Sequence, residues 1–144
     1  AQVGSEGRVI GVVPDASTTS AGLLKRAQLV DDLVVADARN AIASSGRIAE
    51  IAPGLADLVI NCVNVPGTEL GSILCARDGG TIYFFSMSTS FTAAALGAEG
   101  VGRDVTMIIG NGYTKGHAEI ALQTLRDHPE IHAYFNATYA RKSE

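Results

Sequence analysis

The chain has 144 residues, of which 47% are hydrophobic and 18% charged, with a formal net charge of −4 at pH 7. These values fit one folded domain with a real core and exclude a disordered chain. They also exclude a basic nucleic-acid surface, and no apolar run approaches the ~20 residues that cross a bilayer.

Five apolar runs recur along the chain: Arg8–Val13, Leu33–Ala36, Leu58–Val63, Thr81–Phe85 and Val105–Ile109. Each is rich in Val, Ile or Phe and nearly continuous, the pattern of strands buried on both faces. Helical spacing lies between them. Leu23, Leu24 and Ala27 mark the first helix, Ile42, Ile48 and Ile51 the second, and Leu70, Ile73 and Leu74 the third. FTAAAL after Ser90 is a short helix ending at Gly97, and Ala118–Leu125 is the last, closed by Pro129. The Gly-rich stretch Gly97–Gly102 reads as a connecting loop. This alternation predicts an α/β fold, a doubly wound five-stranded parallel sheet with right-handed crossovers. Residues 1–135 form the expected domain and residues 136–144 a polar tail.

In such sheets ligands bind beyond the carboxyl ends of the strands. Five clusters occupy those positions: Pro14–Ser17, Asp37–Arg39, Asn64–Thr68, Ser86–Ser90 and Asn111–Thr114. They hold small, hydroxyl and amide residues with few cations, which suits a polar organic ligand. Asp15 could accept from both hydroxyls of an adenine ribose, or it or a hydroxyl of Ser17–Thr19 could cap the next helix. Gly110–Gly116 imitates a phosphate loop but fails the Walker pattern at Gly116-His117, so a tight turn is the better reading. His117 reads as a solvent-facing or capping residue. His128 and His132 have Pro129 between them and no third ligand, so a metal site is not expected. Ser86–Ser90 lacks the Gly-x-Ser-x-Gly of a nucleophile elbow. A phospho-receiver would need an Asp and a Lys where Asn64 and Asn111 stand. Asp31-Asp32 precedes a strand and reads as a solvated turn.

Cys62 and Cys75 fall in an expected strand and an expected helix, and both read as buried thiols. Two cysteines and no signal-peptide pattern suggest a reduced, cytoplasmic protein, so the sequon Asn136-Ala137-Thr138 is only formal. The first residue is Ala1 rather than Met, as in a processed chain or a piece of a longer one.

Several strings together carry a resemblance: GRVIGVVPD (Gly7–Asp15), VDDLVVADARNA (Val30–Ala41), NCVNVPGTEL (Asn61–Leu70) and the run Ala76–Glu119. The chain resembles the C-terminal part of the L-erythro-3,5-diaminohexanoate dehydrogenases of lysine fermentation, which are similar to medium-chain alcohol dehydrogenases. Cys62-Val63-Asn64 and Gly79-Gly80-Thr81 stand where that nucleotide domain has Cys-Val-Gly and Gly-Gly-Thr. The place of the alcohol dehydrogenases' ribose acid is matched by Val13, two residues before Asp15.

The resemblance implies an oxidoreductase that passes a hydride from the amine-bearing C3 of 3,5-diaminohexanoate to NAD or NADP. Hydrolysis of the imine then yields 5-amino-3-oxohexanoate and ammonia. Together with the positions at the strand ends, it makes Asp15, Asp37, Val63, Asn64, Ser86 and Met87 the candidate cofactor-binding residues. No catalytic residue is assigned. The implied partners are a small diamino acid substrate and an N-terminal domain absent from this chain; a homo-oligomer is a general expectation.

The resemblance also implies a Rossmann-like domain lacking its first strand and Gly-rich turn. That fold orders its strands 3-2-1-4-5-6, so the lost strand is central. Closing the gap would give the order 2-1-3-4-5. Buried unpaired backbone groups cost about 1–3 kcal/mol each, so a closed slot, or one filled by another chain, is expected. The alternative function is a non-catalytic flavodoxin-like binding or assembly module.

Overall fold

The structure is a computed structural model that describes residues 3–110 and 114–140. Among the described residues, five strands and six helices follow in the order β1 (Ile10–Val13), α1 (Thr19–Arg26), β2 (Asp32–Val35), α2 (Ala41–Ile51), β3 (Ala56–Asn61), α3 (Glu69–Cys75), β4 (Ala76–Phe84), α4 (Phe91–Gly100), β5 (Val105–Ile109), α5 (His117–Asp127) and α6 (Pro129–Tyr139). The fold is α/β and Rossmann-like, with two parallel sheets, β1-β2 and β3-β4-β5.

The chain divides into two compact units, described separately. One comprises Ala1–Gly11, Ala16–Leu33 and Tyr113–Glu144; the other comprises Val12–Asp15 and Val34–Gly112.

In the first unit, Leu23 of α1 and Ala27, its C-cap, pack with Ile131 of α6, and Leu29, Leu125 and Tyr134 flank them. Thr18 caps α1 by accepting from the Ala21 amide at 3.2 Å. The Asp31-Asp32 pair does more than sit in solvent. Asp31 accepts from the Val9 amide at 2.7 Å and Asp32 from Arg8 Nε at 2.6 Å, tying β2 to the start of β1. Pro129 does end α5, but it also opens α6 at the first turn, where its missing N–H costs nothing. The helix continues past Asn136 to Tyr139.

In the second unit, β4 pairs with β3 on one side and β5 on the other. Ile82 and Phe84 alternate inward from β4, with Ala76 at the start of the same strand, against Ile73, Ala94 and Ala98 of the α3–α4 layer. Burying each of the large side chains Ile73, Ile82 and Phe84 contributes about 1.5–3 kcal/mol. The β3–β4 register jumps from Ala56↔Ala76 to Leu58↔Thr81, so Arg77–Gly80 bulges outward. Gly79 turns that bulge at φ +71°. β4 therefore starts at Ala76, directly after α3, rather than at Thr81.

Two expectations need correction here. The helix after Ser90 does not stop at Gly97 but runs to Gly100. Gly97 is tolerated inside it because Ile73 Cδ1 would lie 3.1 Å from a Cβ there, so the missing side chain lets α3 and α4 approach. Cys62 is not a buried strand residue: β3 ends at Asn61, and Cys62 is exposed beyond it. Cys75 is half-buried, and burial raises its thiol pKa.

The strand neighbours 2-1 and 3-4-5 are as expected, but no ladder joins β1 to β3 among the described residues. The sheet is not closed. A closed slot is favoured only where the facing strands are buried. Instead β3 is exposed on one face, with Leu58 54% and Ile60 60% accessible. Solvent therefore reaches one face of β3, and the strand is not enclosed on both sides as the closed sheet would have it.

Candidate functional site

The loops after β2, β3 and β4 are organised by side-chain hydrogen bonds in the second unit. After β2, Asp37 accepts from Arg39 in a two-pronged pair, Nε to Oδ1 at 3.0 Å and Nη2 to Oδ2 at 2.8 Å. The Arg39 side chain and amide hold the Asp37 carboxyl at a pKa of about 2. The Asp37 carbonyl accepts from Ser44 Oγ at 2.8 Å, and Asn40 caps α2 through the Ala43 amide at 3.1 Å. Gly71 of α3 lets this loop come close, since a Cβ there would lie 2.7 Å from the Ala38 carbonyl oxygen. The Asp37 loop therefore lies against the helix that begins at Glu69.

After β3, the chain is shaped by a buried amide. Asn61 Nδ2 donates to Thr68 Oγ1 and to Ser72 Oγ, both at 2.9 Å, while its Oδ1 accepts from the Val63 amide at 3.0 Å. Thr68 and Asn61 are both buried. One side chain thus closes the turn Cys62–Thr68, in which Gly67 adopts φ +84°.

After β4, Ser86 Oγ accepts from the Ser88 amide at 3.1 Å, and the Ser86 carbonyl accepts from the Thr89 amide at 3.2 Å. Ser88 Oγ then donates to Asn64 Oδ1 at 2.8 Å, joining the loops after β3 and β4. A second tie comes from Glu69, 3% exposed, whose Oε1 accepts from the Ser90 amide at 2.7 Å. Ser90 caps α4 through the Ala93 amide.

The candidate residues accordingly fall into two sets. Val63, Asn64, Ser86 and Met87 lie on the two tied loops; Ser86 is half-buried and Met87 is 98% exposed. Asp15 and Asp37 follow β1 and β2, whose ends are joined by the Ala36 amide donating to the Val13 carbonyl at 2.9 Å. Asp15 is exposed, and the capping duty considered for it belongs to Thr18. In Gly110–Gly116, residues Asn111, Gly112 and Tyr113 lie outside the described residues. Gly116 caps α5 in the left-handed conformation, and His117 Nδ1 lies 2.7 Å from the Thr114 carbonyl oxygen.

Asn61, Glu69 and Ser72 lie outside the expected strand-end clusters, yet with Thr68 and Ser88, which fall inside them, they build the site. A signal for Asn61 was present: an amide inside the apolar run Leu58–Val63 needs partners if buried. A concavity of about 450 Å³ lies along α5, and none of the candidate residues lines it. Among the described residues, no helix is long and apolar enough to cross a membrane, and no three His, Cys, Asp or Glu side chains gather to hold a metal.

No protein-family model matches the chain. It is 52% identical over 139 residues to the L-erythro-3,5-diaminohexanoate dehydrogenase of Acetoanaerobium sticklandii, and 45% identical over 144 residues to the enzyme of the same name from Fusobacterium nucleatum subsp. nucleatum. Each match covers 96% of this chain but 40% of the relative, so the chain spans well under half the length of the curated relatives it matches. Over almost all of its own length, the chain is thus similar to L-erythro-3,5-diaminohexanoate dehydrogenases.

Proposed function

We propose that the chain is the nucleotide-binding part of an NAD- or NADP-dependent dehydrogenase that oxidatively deaminates L-erythro-3,5-diaminohexanoate in lysine fermentation. The observation that carries the reading is the similarity to two enzymes of that name over 96% of the chain, a span that includes every candidate loop.

The residues present suit a dinucleotide. Asn64, Ser86 and Ser88 offer amide and hydroxyl groups on loops fixed to each other, and Val63 and Met87 offer apolar surface to a flat ring. Asp15 is a carboxylate acceptor for ribose hydroxyls, and Asp37 is held ionised by Arg39. When bound, the dinucleotide supplies the hydride acceptor for the amine-bearing carbon. This chain's residues bind and orient it, while the remaining length of a longer polypeptide supplies the substrate site.

The test uses the full-length polypeptide that carries this chain. Titration with NAD and with NADP should show saturable binding of at least one. Addition of 3,5-diaminohexanoate should then yield reduced cofactor and ammonia in equal amounts. Binding of neither cofactor refutes the reading.

A further inference from the structure

We propose that Glu69 is a positioning residue for the cofactor loop, a buried carboxylate that fixes the loop Ser86–Ser90 against the turn Cys62–Thr68; the proposal rests on the dinucleotide reading above. Its side chain does not cap its own helix. It reaches from the first residue of α3 to the amide of Ser90, the residue that caps α4. The loop is thus held at three points: by the end of β3 at Phe85, whose amide donates to the Asn61 carbonyl at 2.9 Å, by Asn64 at Ser88, and by Glu69 at Ser90.

Glu69 is 3% exposed, so no solvent competes for its bond to the Ser90 amide, which is 2.7 Å long. The reach of its acceptor oxygen therefore sets where Ser90 sits. The two candidates on the loop, Ser86 and Met87, lie between the Phe85 anchor and the Glu69 anchor. Met87 is almost wholly exposed, so its own packing does not fix it. Position must come from the anchors.

Three variants in the full-length polypeptide separate this role from a merely structural one. Glu69→Gln keeps an acceptor oxygen at the same reach and should bind dinucleotide within about twofold of the parent. Glu69→Asp keeps the charge but withdraws it by one methylene, and should weaken dinucleotide binding by about tenfold. Glu69→Ala should do the same or more; if it does not fold, Glu69→Asp decides. Amide hydrogen exchange gives a readout independent of the ligand. Ser90 and Ser88 should exchange about tenfold faster in Glu69→Asp, with the β4 core amides unchanged. Parent-like binding by Glu69→Asp, or unaltered exchange at Ser90, overturns the proposal. If the parent itself binds neither NAD nor NADP, the dinucleotide reading falls, and the exchange data alone decide whether Glu69 clamps the loop.

Discussion

Replacing Asn61 with Ala should be among the most costly single changes at the strand ends. The side chain is buried and makes three hydrogen bonds of 2.9–3.0 Å, to Thr68, Ser72 and the Val63 amide. At about 1 kcal/mol net each, their loss removes about 3 kcal/mol. The buried Thr68 hydroxyl and the Val63 amide lose a partner at the same time, so relaxation cannot recover much. For a domain of this size the urea midpoint should fall by about 1–2 M with the slope unchanged. Circular dichroism during urea titration measures both quantities. A double-mutant cycle with Thr68→Val should return a coupling energy of about 1 kcal/mol. A total loss below about 1 kcal/mol would refute the reasoning, because it would mean that water replaces the amide without penalty.

Gly71→Ala should destabilise by about 1–3 kcal/mol although Ala is the better helix former, since its Cβ would meet the Ala38 carbonyl oxygen, a backbone atom; thermal unfolding gives the sign. Thr18→Ala should cost about 1 kcal/mol by removing the α1 cap, read from the same melts. Asp37 has a depressed pKa, so the stabilisation from its pair with Arg39 is complete above the ordinary carboxylate range and is lost as pH falls through about 2. Carboxyl NMR should place its midpoint there, and Arg39→Ala should return it to the ordinary range. An unmoved midpoint would show that Arg39 is not the cause.

Much of the fold was legible in the chain. The five apolar runs became five strands, with β5 at its expected bounds, because nearly continuous Val, Ile and Phe mark strands whatever their neighbours. The element ends were less legible. Gly97 and Pro129 look like helix terminators, but one sits where two helices need to approach and the other at a first turn, where proline is at home. At the candidate site, the sequence pointed to the strand-end loops, and Asn64, Ser86 and their neighbours do lie on loops tied together.

The sequence by itself determined the α/β alternation and the polar loops that follow the strands, since both follow from local pattern along the chain. Tertiary structure decided which polar groups hold those loops. Asn61 meets Ser72 and Glu69 meets Ser90 only when separate elements are brought side by side. It also decided that the β1-β2 and β3-β4-β5 ladders stay unjoined among the described residues, because strand pairing brings together segments far apart in the chain, and no local pattern encodes that.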